Sequence, residues 1–391
     1  MIHNPIFLIL VLLAVEAGIL FLAGNPRTKF LFRFLPSMFW IYFLPMLLST
    51  FGIIDGKSTV YPQITKCLLP AALFLLLLKV DMKAISRLGP TALIMFFAGS
   101  FGIVLGIIVS FMFFKPLVGA PFWSGFACLS ASWTGGSANM IAVKEAINTP
   151  DNVFLPMVIV DTILPYTWVG ILIALAPRQK YFDAWNNSDR RILDDLANKA
   201  SVIARSTTTK QSFNPLKSIY IVAIAFGLGR LCQWVSVYLP TGKNILSPYA
   251  WSIILVTTLA IICSNTALGR IKDTGANQWG KWILYFVLTS IGARASLNNV
   301  GQAGILIAAG LVVISIHVGV MLVTARMVRA PLFLAATASL SNIAGLVSAP
   351  VVAEVYQPGL ASVGLLLAIL GHSLGAYIGI ATGQILRLIA H

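Results

Sequence analysis

Apolar residues run through this chain in long blocks, set apart by short connections that carry most of the charge. The blocks span residues 5–24, 36–54, 61–79, 90–114, 122–147, 153–177, 217–239, 248–268, 279–297, 300–324, 330–353 and 359–386. Each is about twenty residues, the length an α-helix needs to cross a hydrocarbon layer of ~30 Å. No ten-residue stretch alternates apolar with polar, so a barrel is not indicated, and open sheet cannot satisfy its backbone in lipid. The pattern predicts an all-α polytopic membrane protein with about 11–13 transmembrane helices. The first block, "NPIFLILVLLAVEAGILFLAG", lacks a basic leader and a small-residue cleavage site, so it is expected to stay as a span.

Two blocks are interrupted. "ASWTGGSANMIAV" (131–143) places Thr134, Gly135, Gly136, Ser137 and Asn139 where a buried helix should run. Gly costs about 1 kcal/mol against Ala in a helix interior, and unwound backbone at membrane depth survives only inside protein or beside a water-filled cavity. About two hundred residues later, "ATASLSNIAGLVSAPVVAEV" (335–355) does the same, with Ser339, Ser341, Asn342, Gly345, Ser348 and the helix breaker Pro350. One such segment alone would suggest close helix packing through small residues.

Laid on one another without a gap, the two segments match Ser132 with Ser341, Gly136 with Gly345, Val143 with Val352 and Glu145 with Glu354. Paired interruptions in corresponding halves are the sequence mark of a secondary transporter built on a structural repeat. The expected organisation is therefore a first membrane half (1–177), a polar linker (178–216) and a second half (217–391). The linker holds seven Lys/Arg against four Asp. Its "RRILDDLANKASVIA" stretch fits either a helix lying on the membrane surface or a solvated connection.

Composition narrows the class further. The chain is 58% hydrophobic and 10% charged, with a mean hydropathy of +0.89. A soluble domain carries roughly 25% charged residues, so no water-compatible surface can be assembled. The net charge of +15 comes from Lys and Arg in the connections, which orient spans rather than bind nucleic acid. Basic residues in "NPRTKFLFR", "KVDMKAISR", "GRIKD" and "ARMVR" all claim the cytoplasmic side. Twelve simple crossings cannot satisfy them all, and an inverted repeat needs an odd number of crossings between equivalent spans. The four cysteines stand singly, without metal or disulfide spacing.

Ionisable residues within spans mark candidate chemistry, because a charge at that depth is costly and usually faces a cavity or partner. Asp161 lies well inside its block, flanked by Pro156 and Pro165, and His372 falls within two residues of the corresponding place in the second half. Together they could take up and release a proton, or hold a cation. Glu145 and Glu354, at the far ends of the interrupted helices, are expected near the surface, with Lys144 beside the first. Glu16 has no counterpart and reads as a snorkelling or packing residue. Gly371, Gly375, Gly379 and Gly383 form a bare stripe that lets another helix approach and could carry His372 to the second interrupted helix. Gly99, Gly102 and Gly106 look like the same device.

The strings "TGGSANMIAV", "SLSNIAGLVSAPVVAEV" and "LTSIGARASL" resemble the YjcL-like bacterial membrane family, known as domain-of-unknown-function family 819, over about residues 35–388. That family is grouped with the cation:proton antiporters and bile-acid:sodium symporters. The resemblance implies an inverted-repeat fold with two crossed, interrupted helices (122–147 and 330–353), a scaffold that often dimerises, and a home in the bacterial cytoplasmic membrane. Members often carry Gly-Gly-Pro at the second motif, where this chain has Ala344-Gly345 followed by Leu346-Val347.

The expected function is ion-coupled (Na⁺ or H⁺) secondary transport of a small solute at a midplane site. The expected ligating groups are Thr134, Gly135, Gly136, Ser137, Asn139, Asp161, Ser341, Asn342, Gly345, Ser348 and His372. No resident cofactor or metal is expected beyond a Na⁺ near Asp161, and the expected partners are the bilayer, the solute and a second copy of the chain. The competing classes are an intramembrane enzyme and a sensor that has lost transport. A Ser137/His372 hydrolase lacks the GxSG-type setting, an aspartyl protease needs two membrane aspartates where the spans offer Asp161, and no P-loop is present.

Overall fold

The computed structural model describes the chain apart from residues 29–30, 35–36, 190, 193–194, 197–213, 242–245, 272–273 and 296–301. The surface-helix reading of residues 190–204 lies largely outside the described residues. Numbering helices of ten or more residues gives α1 (Pro5–Gly24), α2 (Ser37–Thr50), α3 (Val60–Leu77), α4 (Pro90–Val118), α5 (Trp123–Gly135), α6 (Ser137–Ala146) and α7 (Asp151–Leu175). After the polar insert come α8 (Pro215–Ser236), α9 (Pro248–Ser264), α10 (Ala276–Arg294), α11 (Ala303–Val328), α12 (Leu332–Ile343), α13 (Gly345–Tyr356) and α14 (Ala361–Ala390). The second set repeats the first in order and nearly in length: each has a long fourth helix, a broken fifth and a long last one. The protein is a polytopic membrane protein. Among the described residues seven helical segments are long and apolar enough to cross a bilayer, and α1, α4 and α8 expose large apolar side chains such as Phe7, Phe113 and Ile219.

Local chemistry sets the helix starts. Pro5, Pro90, Pro215 and Pro248 occupy first-turn positions, where a missing N–H costs nothing. Asn4, Asn214 and Ser247 cap α1, α8 and α9 by accepting N–H bonds from Ile6, Lys217 and Ala250 at 2.9, 3.2 and 3.1 Å.

The chain divides into two compact units, and each draws on both halves of the sequence. Unit 1 comprises residues 1–79, 149–162 and 212–302; unit 2 comprises 80–148, 163–211 and 303–391. In unit 1, α3 packs along α10, with Thr65 bonded to Ser290 at 3.1 Å and Gly280 against Ala72 and Leu75. As α3 advances, its α10 partners recede in number, so the two helices run antiparallel. In unit 2, Gly99 and Gly102 meet His317, and Gly106 meets Val313, so α4 and α11 are likewise antiparallel. A methyl on Gly106 would stand 2.9 Å from the Val313 carbonyl oxygen. Bare backbone is therefore needed where α11 crosses.

The insert opens with structure of its own. Residues Gln179–Asn186 form a helix. Asp183 accepts the Leu332 N–H at 2.8 Å, and buried Asn186 donates to the Ala325 and Ala330 carbonyls. This part of the insert caps and braces the start of α12, which goes beyond a solvated connection.

Candidate functional site

The first interruption is a single residue. Helix α5 ends at Gly135, α6 begins at Ser137, and Gly136 between them has φ 89° and ψ 168°. That region is open essentially to glycine alone. The Gly136 N–H still donates to the Ser132 carbonyl, and its own carbonyl accepts from the Asn139 and Met140 N–H groups, so both half-helices keep their bonding up to the hinge. The second interruption falls at Ala344–Gly345, and Gly345 has φ 62°. The residues matched by sequence, Gly136 and Gly345, are thus the two positive-φ hinges. Pro350, read from the sequence as the closing breaker, instead sits inside α13. Gly364 of α14 lies against the Ala349 carbonyl and the Pro350 nitrogen, where a side chain could not fit.

Helix α14 threads between the hinges. Its glycine stripe rests mainly on the first broken helix. Gly375 faces Gly135 and Ala131, Gly379 faces Ala131, and Gly383 faces Ala127. A Cβ on Gly371 would lie 2.6 Å from the Thr134 carbonyl oxygen and 3.3 Å from that of Ser341, so Gly371 touches the last turns of both α5 and α12.

This approach assembles a small polar triangle. The Gly135 carbonyl accepts from His372 Nδ1 at 3.0 Å and from Asn139 Nδ2 at 2.7 Å, and Asn139 Nδ2 also donates to the His372 carbonyl at 3.0 Å. With Nδ1 holding the proton, His372 Nε2 carries the lone pair. That Nε2 and the Asn139 Oδ1 make no hydrogen bond among the described residues, although the side chains are only 8% and 2% exposed. Trp133 Nε1 and Thr337 Oγ1, on α5 and α12, are sealed outright and have no hydrogen-bond partner among the described residues. Thr134 spends its hydroxyl within its own helix, on the Ser130 carbonyl at 2.8 Å; Ser341 donates to the Thr337 carbonyl at 2.8 Å and also reaches the Gly364 carbonyl of α14 at 3.3 Å.

The second hinge is wired differently. Asn342 is completely buried; its Nδ2 donates to the Phe96 and Ala338 carbonyls, and its Oδ1 accepts from Ser100 Oγ at 2.7 Å. Ser348 and Ser137 are half-buried. Asp161 is half-buried too, but it belongs to unit 1, whereas the other candidate residues belong to unit 2.

The sequence reading missed His317. It is fully buried on α11, donates from Nδ1 to the Gly99 carbonyl at 2.9 Å and accepts the Ser339 hydroxyl at Nε2, 2.8 Å. Ser339 in turn accepts the Trp168 indole N–H at 3.0 Å. "LVVISIHVGVMLV" holds an ionisable group in mid-span, the criterion that singled out Asp161, so the signal was there. Lys144 and Glu145, expected near the surface, form a pair at 2.9 Å with side chains 1% and 11% exposed. Glu354 is instead spent on the loop after α13, accepting the Gly359 N–H. Among the described residues no three His, Cys, Asp or Glu gather as a metal site.

A polytopic helical protein with two glycine-hinged helices and unpaired polar atoms at the first hinge defines a class of membrane protein. Within that class, residues 11–389 match the family described as "Protein of unknown function (DUF819)", and the chain belongs to it. It is 23% identical over 355 residues, 87% of each chain, to a Bacillus subtilis protein described as "Uncharacterized membrane protein YjcL".

Proposed function

We propose that this protein is a secondary transporter of a small solute, coupled to H⁺ or Na⁺, and that ion and solute meet in unit 2 at the first hinge. The observation that carries the reading is the pair of glycine hinges at matched positions, with His372 Nε2 and Asn139 Oδ1 unpaired beside one of them. Both atoms keep some accessible surface, so a transported proton, cation or solute polar group can reach and pair with them. His372, with Nδ1 tied to a backbone carbonyl, is poised to accept a proton at Nε2. Na⁺ prefers oxygen, which Asn139 Oδ1 offers.

The antiparallel courses of α3 with α10, and of α4 with α11, support an inverted repeat. If each of the six apolar segments per half crossed once, equivalent helices would run parallel. The inverted reading therefore requires that the 178–216 insert, or one apolar segment, departs from a single crossing. Transport, unlike hydrolysis, needs no nucleophile. We place the protein in the bacterial cytoplasmic membrane as a homodimer without a resident cofactor.

The test is ion-dependent thermal stabilisation of purified protein across Na⁺, Li⁺, K⁺ and pH, followed by proton flux into proteoliposomes carrying an internal pH dye. Wild type should respond to pH or to one cation, and His372→Gln should lose the pH response. A His372→Gln protein with the wild-type ion and pH profile would remove His372 from coupling.

A further inference from the structure

Glu16 reads from the sequence as a packing or snorkelling residue, and its surroundings say otherwise. It lies just past the middle of α1, on the buried stripe Leu8, Leu12, Glu16, Ile19. It is too far from either helix end to snorkel. Its side chain is 7% exposed and makes no hydrogen bond or ion pair among the described residues. It lines a cavity of about 420 Å³ within unit 1, walled by α1, Leu68 of α3, and Trp279, Trp282 and Phe286 on one face of α10.

That volume falls in the range of small-molecule sites, roughly 300–1,000 Å³. The cavity is almost wholly apolar, with one acid. Trp279 and Trp282 stand edge to face, ring centroids 5.2 Å apart at 84°, forming two walls of an aromatic corner. The cavity therefore presents an unpaired carboxyl beside two indole rings. A carboxylate in mid-span needs a positive partner, and indole faces attract ammonium ions.

From this geometry we infer that the Glu16 cavity is a second ligand site, which takes an organic ammonium ion with an apolar body. Glu16 is the counter-charge, Trp279 and Trp282 cup the cationic head, and Leu68 and Phe286 bury the apolar part. The site is built from unit 1 alone and does not depend on the transport reading of the hinges.

The experiment is saturable binding of radiolabelled benzyltrimethylammonium to the full chain in nanodiscs, with its uncharged carbon analogue neopentylbenzene as competitor. Wild type should bind saturably, and neopentylbenzene should compete at least tenfold less well than unlabelled benzyltrimethylammonium. Glu16→Gln, which keeps the shape, should weaken binding at least tenfold. Trp282→Leu, which leaves the carboxyl in place, should weaken it several-fold. Equal binding by Glu16→Gln, or equal competition by neopentylbenzene, would overturn the inference and mark the cavity as a seat for lipid chains. Absence of saturable binding in folded wild type would overturn it as well.

Discussion

The two hinges occupy matched positions and are held in opposite ways. At the second, Asn342 spends every hydrogen-bonding group on Ser100, Phe96 and Ala338, so α12 is riveted to α4. At the first, the corresponding turn is held through one carbonyl, Gly135, which accepts from His372 and Asn139 and leaves an acceptor open on each. The two buried histidines repeat the contrast: His317 uses both ring nitrogens, His372 only one. A saturated group stabilises a fold; an unsaturated one that keeps accessible surface is available to a ligand. Matched backbone therefore does not imply matched roles.

The largest effect should come from removing the close approach at the first hinge. A Cβ on Gly375 would lie 2.6 Å from Gly135 Cα, a backbone contact that no rotamer change relieves. Gly375→Ala should cost about 3 kcal/mol or more, seen as loss of monodisperse protein in size-exclusion chromatography. Unchanged yield and melting temperature would show that α14 can move off α5 at little cost. Next is Asn342→Ala, which removes the 2.7 Å acceptor of Ser100 and one donor to the Phe96 carbonyl, leaving those two only their own 3.3 Å contact, and should cost about 2 kcal/mol. Asn139→Ala should cost less, because His372 still holds Gly135. Thermal denaturation of the two variants side by side checks the contrast, and a larger loss for Asn139 would reverse it.

A cleaner comparison uses the hinges themselves, since a Cβ at Gly136 or Gly345 would meet nothing within 4 Å. Any cost of Ala there is backbone strain. Gly136, in the region reserved for glycine, should lose about 2 kcal/mol, and Gly345, at φ 62°, about 1 kcal/mol. Equal losses in chemical denaturation would mean that the hinges are conformationally equivalent. The smallest stability change, under about 1 kcal/mol, is expected for His372→Gln, whose signature is a lost pH response. His317→Gln should do the reverse, lowering the melting temperature while the pH response survives.

Much of this was legible in the sequence because helix breaking is local. Thr134, Gly135, Gly136, Ser137 and Asn139 are poor helix formers in an apolar block, and the ungapped match of Gly136 with Gly345 names the two hinge residues. What could not be read depends on which helices meet. The glycine stripe of α14 announces that some helix will approach, but not that it is α5, so His372 was assigned to the wrong neighbour. The saturation of Asn342 depends on Ser100, 242 positions away in the chain. Burial of the Lys144–Glu145 pair, and of Glu16 among the rings of α10, likewise follows from tertiary contacts. His317 differs: its mid-span position was visible and was passed over.

The Lys144–Glu145 pair has an electrical consequence. Its two charges sit 2.9 Å apart, almost sealed from solvent. A lone charge carried across the membrane field works against about 2.3 kcal/mol per 100 mV, but two opposite charges moving together do nearly none of that work. Were α6 to move through the membrane field, this pair would ride as a neutral dipole and add no gating charge. Any voltage sensitivity recorded from the protein must then be sought in other groups.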